Sequence, residues 1–366
     1  MNCQGEKLMS KVLLIGLGDL AMRIALALSA RGRAGEIVLA GRRVEPGLAM
    51  ARMVHACGEA SSRYVQLNAL DVDAVAECIQ REKPQVLVQC ATLMSPWLLH
   101  ERQDPVAQRL RSAGFAAQLC AQIPAVLQVM RAVRAAHHAC SVVNCSFPDV
   151  THPVLHRLSL APTIGVGNAG MVEGLVRAAL QANGSPVRRI DVLAHHFHVA
   201  PVVTSDPARL RHWPGPRVYL DGRRVPDQEA SLLFGAAPIP LTRDINASTA
   251  AHAVRVIEAL MPDADQLRTC APGPHGLPGG WPVLIEQGRV CISLPDELTE
   301  EDAVAFHRRV AEGDGVQRID PDGTVHLTPL TSELLAGLPA ELAAPLNPDE
   351  ALQRFSLLQR LLALTT

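Results

Sequence analysis

The stretch Lys11-Val12-Leu13-Leu14-Ile15-Gly16-Leu17-Gly18-Asp19-Leu20-Ala21 decides the architecture. Residues 11–15 read as a buried strand, and the G-x-G-x-x-A turn after them delivers the chain into a helix. Glycine permits the tight turn and the close approach of a ligand, and a small residue at the last position lets helix and strand pack closely. The main-chain N–H groups at the helix start are left to receive a pyrophosphate. The pattern predicts a dinucleotide crossover with Gly16, Gly18, Asp19, Leu20 and Ala21 around the phosphates.

The next apolar strand, residues 36–40, ends in Ala40-Gly41-Arg42-Arg43. An acid at this place would hold the adenosine ribose hydroxyls. Two guanidinium groups stand there instead, suited to a 2′-phosphate through charge-assisted contacts. NADP is therefore the expected cofactor, with Arg42 and Arg43 on its phosphate.

Outward from this unit, strands and helices alternate. Helical patterns cover residues 48–57, 105–119 and 124–138, with strands at 64–67, 85–91 and 141–144. Asp71 opens a further crossover helix, as its cap or as an adenine contact, and Ala91 and Thr92 end a strand expected near the nicotinamide half of the crevice. The alternation predicts an α/β fold: an N-terminal doubly wound parallel sheet, residues 1–146, as a Rossmann-type NADP-binding domain. Residues 147–366 read as a second α+β domain for substrate and assembly. It has helices at 170–183 and 248–261, a strand over 189–199, a tight Asp221-Gly222 hairpin, a hairpin around Gly288 and a helix capped by Thr299.

Length supports two domains, each able to bury a core. The formal charge of -2 and sparse aromatics predict no nucleic-acid partner. The apolar stretch at 12–30 is broken by Asp19 and Arg23, so no membrane span or signal peptide is expected. Nine dispersed cysteines suit a reducing, cytoplasmic setting. His137, His138, Cys140 and Cys145 are metal-ligand types without a second ligand pair, and no metal site is expected. A small-molecule substrate and a twofold homodimer complete the expected partners.

Three polar stretches carry the candidate chemistry. Asn144-Cys145-Ser146-Phe147-Pro148-Asp149 follows a sheet strand, so Asn144 and Asp149 are available to orient a carboxamide, a substrate oxygen or an imidazole, or else to bond within the turn. In His195-His196-Phe197-His198, an extended chain puts His196 and His198 on one face and His195 on the other; His195 or His196 is the candidate general acid/base. The loop at 272–282 brings His275 and Trp281 as candidate substrate contacts, and Arg243 is a candidate carboxylate anchor.

The first portion resembles the saccharopine dehydrogenase-like NAD(P)-binding family in Val12-Leu13-Leu14-Ile15-Gly16-Leu17-Gly18, Leu39-Ala40-Gly41-Arg42 and Val88-Gln89-Cys90-Ala91. That resemblance implies a pyridine nucleotide and an amino-acid-like substrate. The middle is loosely similar in order to the lactate and malate dehydrogenases: Asn144 follows a strand, and His195 and His196 come after a helix and strand. The Asp-x-x-Arg relay of those enzymes is not clear in Gly167-Asn168-Ala169-Gly170-Met171-Val172-Glu173, where Glu173 is the candidate acidic member. These observations predict an NADP-dependent oxidoreductase acting on a small carbonyl or imine. The alternative is a non-catalytic NADP-binding regulatory or sensor protein.

Overall fold

The computed structural model describes residues 10–234 and 238–364. A six-stranded parallel sheet forms the first half in the order β3-β2-β1-β4-β5-β6. Its strands are β1 (Lys11–Ile15), β2 (Glu36–Gly41), β3 (Ser61–Gln66), β4 (Val86–Gln89), β5 (Ser141–Asn144) and β6 (Ile164–Gly165). Central β1 is covered on both faces, which explains its unbroken apolar run from Val12 to Ile15. Strand order reverses between β1 and β4, and a crevice outside the carboxyl ends of the strands follows from that reversal.

The unit expected to end at 146 contributes five of the strands; β6 comes from beyond it. Residues 124–138 do not start a new helix, because helix Leu119–Ala136 carries Pro124 within it and is entered through a 3-10 turn, Phe115–Gln118. Asp71 caps helix Val72–Glu82 by accepting from the Ala74 N–H at 3.0 Å, the simpler of its two expected roles.

The second half is built on antiparallel strands: β7 (Ile190–Leu193), β8 (Arg217–Leu220) and β9 (Arg223–Arg224) form one sheet. A second sheet contains β10 (Leu267–Pro272), β11 (Gly280–Glu286) and β12 (Arg289–Ile292), and β13 (Val316–Ile319) pairs with β14 (Val325–Leu327). Both expected hairpins form with left-handed residues at the turn, Asp221-Gly222 and Gln287-Gly288. Thr299 caps helix Glu300–Ala311 by accepting from the Asp302 N–H.

The halves share their core. Val12, Leu14 and Val88 of the parallel sheet belong to the same buried cluster as Ile257, Trp281 and Val283. Helix Asp19–Arg31 packs on helix Asn246–Ala259, with Arg31 and Glu258 paired at 2.7 Å. The last helix, Ala351–Leu361, returns to pack on Leu119–Ala136. No described helix is long and apolar enough to cross a membrane. The eight described cysteines are free thiols, and Cys3 lies outside the described residues.

Candidate active site

The turn after β1 fits the role its sequence predicts. Gly16 has φ +98°, and a Cβ there would lie 2.4 Å from the Ala91 nitrogen, so only glycine lets β1 and the end of β4 approach this closely. Gly18 precedes helix Asp19–Arg31 with no side-chain cap, and a Cβ on it would meet open space. The first-turn N–H groups thus remain available to an anion. Asp19, the first-turn acid, accepts from Arg23 Nε at 3.0 Å and Asn246 Nδ2 at 2.8 Å, which offsets its charge beside that position.

Beyond this turn the strand ends open into a crevice of about 1140 Å³. Leu20, Cys145, Phe147 and Asn168 line its parallel-sheet side, and His196 and Asp314 line its other side. Strand β7 stops at Leu193, four residues into the expected 189–199 span and well short of its end. Ala194 then bridges to Gly280, and His196–His198 turns as a 3-10 helix, so the histidines do not alternate across the two faces of a strand as expected. The turn is fixed by the His195 N–H, which donates to His198 Nδ1 at 3.0 Å.

This turn brings both candidate imidazoles to one carboxylate. Asp314 Oδ2 lies 2.9 Å from His195 Nδ1, and Oδ1 lies 3.0 Å from His196 Nδ1. An ionised carboxylate only accepts, so each Nδ1 carries its proton and each Nε2 is the basic nitrogen of the neutral ring. The His195 side chain is fully buried and its Nε2 has no partner among the described residues. The His196 side chain is 28% exposed, on the crevice wall against the rings of Phe115 and Phe147 at centroid distances of 4.2 and 5.1 Å. Of the two, His196 is therefore the one a ligand can reach.

Burial pushes the Asp314 carboxyl up, but the charge of His196 and the two imidazole hydrogen bonds outweigh it and hold the group below the usual carboxylate range. Burial likewise disfavours imidazolium at His196; Asp314, with help from Asp149, outweighs that and raises its pKa. Asp149 is buried, accepts the His196 main-chain N–H at 3.0 Å and bonds Asn168. Its burial raises its pKa against the pull of both histidines. Asp149 thus holds the main chain of His196 while Asp314 holds the ring.

Asn144 is near this site but committed elsewhere. Its amide donates to Thr151 Oγ1 and the Ser146 carbonyl and accepts from the Ser146 N–H, all within its own turn. Trp281 is fully buried and donates to the Pro278 carbonyl at 2.7 Å, and His275 bonds the Val290 carbonyl at 2.8 Å. Their loop is the sharp connection between β10 and β11, so its prolines and glycines serve the hairpin rather than a substrate. Glu173 is buried in bonds to Thr269 and Cys270, away from any relay with His196.

Arg243 pairs with both carboxylate oxygens of Glu101 through its Nε–Nη2 edge on the surface. Exposed pairs of this kind contribute little. Arg243→Ala is expected to change stability by less than about 1 kcal/mol and to leave the KM of any substrate unaltered; a raised KM in steady-state assays would restore the anchor role. Asp314 is the residue that sequence reasoning missed. Its only signal is the Gly313-Asp314-Gly315 turn after a capped helix, and Gly315 has φ +94°.

No protein-family profile and no curated protein sequence matches the chain. Solved structures do match in fold. A minor L-lactate dehydrogenase from Enterococcus mundtii superposes with a TM-score of 0.55 at 14% identity, over 83% of this chain and 96% of that one. A lactate dehydrogenase from Cryptosporidium parvum, complexed with lactic acid and nicotinamide adenine dinucleotide, gives 0.54 at 17% identity, over 84% and 96%. The malate dehydrogenase of the same organism gives 0.50 at 16%, over 83% and 96%. The fold similarity spans both halves of the chain and replaces the narrower saccharopine dehydrogenase-like resemblance of the first. The expectation of NADP is also corrected, because the cofactor in the Cryptosporidium enzyme is NAD. Arg42 and Arg43 are exposed and make no ion pair among the described residues. The chain has the two-part fold of the lactate and malate dehydrogenases.

Proposed function

We propose that this chain is a dehydrogenase using nicotinamide adenine dinucleotide to interconvert a small carbonyl acid and its hydroxy acid. The observation that carries this reading is His196, on the wall of the crevice, with Nδ1 fixed by buried Asp314. The Gly16 and Gly18 turn, the first N–H groups of helix Asp19–Arg31, Ala91 beside Gly16, and Thr92 next to it in the chain are the residues that would hold the dinucleotide. When bound, it supplies or accepts hydride.

His196 performs the proton step. Its Nε2 has no hydrogen-bond partner among the described residues, and Asp314 favours the protonated ring. For carbonyl reduction, His196 gives the Nε2 proton to the developing alkoxide and returns to neutral imidazole; for alcohol oxidation, the same nitrogen takes the hydroxyl proton. Asp314 keeps the ring in the required tautomer and offsets the imidazolium charge. Phe115 and Phe147 pack against one side of the ring and help to fix its plane. An acid substrate is favoured by Arg111, Arg209 and Arg211 on the same crevice; Arg211 has no ion pair among the described residues.

The test is NADH binding by fluorescence, followed by NADH oxidation across a panel of 2-oxo acids, aldehydes and amine-generated imines. Binding with oxidation limited to oxo acids is the expected result. Binding without turnover on any class would favour a nucleotide-responsive sensor, and absence of NADH binding would overturn the reading.

A further inference from the structure

Cys90 follows β4 and Cys145 follows β5, side by side in a parallel register that sets Gln89 opposite Asn144. The Cys145 N–H donates to the Gln89 carbonyl at 2.9 Å, and the Cys90 N–H donates to the Ile15 carbonyl at 2.8 Å, so both main chains are fixed. Their sulfurs lie 3.4 Å apart. Both are half-buried free thiols, and Cys145 lines the crevice. Neighbouring strands stand about 4.8 Å apart, within the Cα separation of about 4.4–6.8 Å that a disulfide bridges.

We propose that Cys90 and Cys145 form an oxidisable dithiol on the floor of the crevice, converted to a disulfide by a small-molecule disulfide such as oxidised glutathione. Cys145 lines the crevice and Cys90 stands behind it at 3.4 Å, so Cys145 is the attacking sulfur and Cys90 the resolving one. The hydrogen bond to Cys145, together with burial, raises the Cys90 pKa in keeping with that order. The Cys145 thiolate attacks one glutathione sulfur, breaks its S–S bond and releases a glutathione thiolate. The Cys90 thiolate then attacks Cys145 Sγ and releases the second. The two thiol protons end on the two released thiolates; the protein is oxidised by two electrons, and the glutathione disulfide is reduced by two.

The consequence for function rests on the dehydrogenase reading; the bond itself does not. A Cβ on Gly16 would lie 2.7 Å from the Cys90 carbonyl carbon, so the dinucleotide turn sits directly on this residue. Closing the sulfurs from 3.4 Å to about 2.05 Å moves the Cys145 side chain that lines the crevice, and a misplacement of about 1 Å at a reacting centre costs about 10²-fold in rate.

The experiment treats the fully reduced protein with oxidised glutathione, alkylates remaining thiols and maps peptides by mass spectrometry. Expected are a linked Cys90–Cys145 peptide, reversal by dithiothreitol, and a glutathione adduct retained on Cys145 in C90S. Turnover is expected to fall about 10²-fold on oxidation and to recover on reduction. Modification of exposed Cys57 and Cys291 with Cys90 and Cys145 still unlinked would overturn the proposal. A link that forms in a protein that never binds NADH would leave the dithiol standing and remove the dehydrogenase reading.

Discussion

The Asp314→Asn variant is expected to fold and yet to turn over about 10⁴-fold more slowly than the native chain. Asp314 presents one oxygen to each of two Nδ1–H donors, at 2.9 and 3.0 Å. Asparagine keeps one acceptor and turns an N–H₂ group toward the other ring. That ring must then expose a bare Nδ1 and carry its proton on Nε2. If the ring is His196, the basic nitrogen faces inward; if it is His195, His196 keeps its tautomer but loses the carboxylate charge. Folding is monitored by near-ultraviolet circular dichroism and thermal midpoint, activity by NADH oxidation. A well-folded variant with native turnover would sink the dyad assignment.

The same variant has a pH signature. In the native chain Asp314 raises the His196 pKa, so the protonated form needed for reduction persists to higher pH. Removing the charge moves the alkaline limb of the reduction profile to lower pH. Stability follows the same linkage. The lowered Asp314 pKa contributes stability that is present above the unfolded carboxylate value of about 3.9 and is lost as pH falls further. The raised His196 pKa contributes stability that is present below about 6.5 and is lost as pH rises through the folded value. Both describe one ion pair, and Asp314→Asn is expected to flatten both slopes together. A loss of rate without a shift of the alkaline limb would mean that Asp314 only supports packing.

The parallel sheet was legible because its determinants are local: apolar runs, Gly16 and Gly18, and the alternation of strand and helix patterns. Half of the site was legible for the same reason, since a run of histidines is conspicuous wherever it folds. Asp314 was not, because it meets His195 across 119 positions of sequence and stands between two glycines, where an aspartate reads as a turn residue. The misreadings share one cause. Asn144, His275 and Trp281 are polar or aromatic groups on loops, a pattern that suggests a ligand, and each spends its hydrogen bonds on its own loop or the strand beside it. Composition reports which groups need partners; only the fold decides whether a partner is already there.

Glu173 poses the same question, and its substitution gives the second large effect. It is 1% exposed; Oε2 accepts from Thr269 Oγ1 at 2.6 Å and from the Cys270 N–H at 2.8 Å, while Oε1 pairs with Arg177. These bonds pin helix Ala169–Ala182 to β10. Glu173→Ala strands a buried hydroxyl, a buried main-chain N–H and a half-buried guanidinium at once, and is expected to cost about 3–5 kcal/mol of stability. Glu173→Gln is expected to cost less, because its carbonyl oxygen still receives the Cys270 N–H. Asn168 immediately precedes the helix, and its side chain bonds Asp149, which in turn holds the His196 main chain. Turnover below the melting transition should therefore decline only as that chain loosens, with KM changed little. The outcome that would return Glu173 to the acid relay suggested by sequence is a native thermal midpoint combined with lost turnover, because a residue that ties helix to strand cannot be removed without a cost to folding.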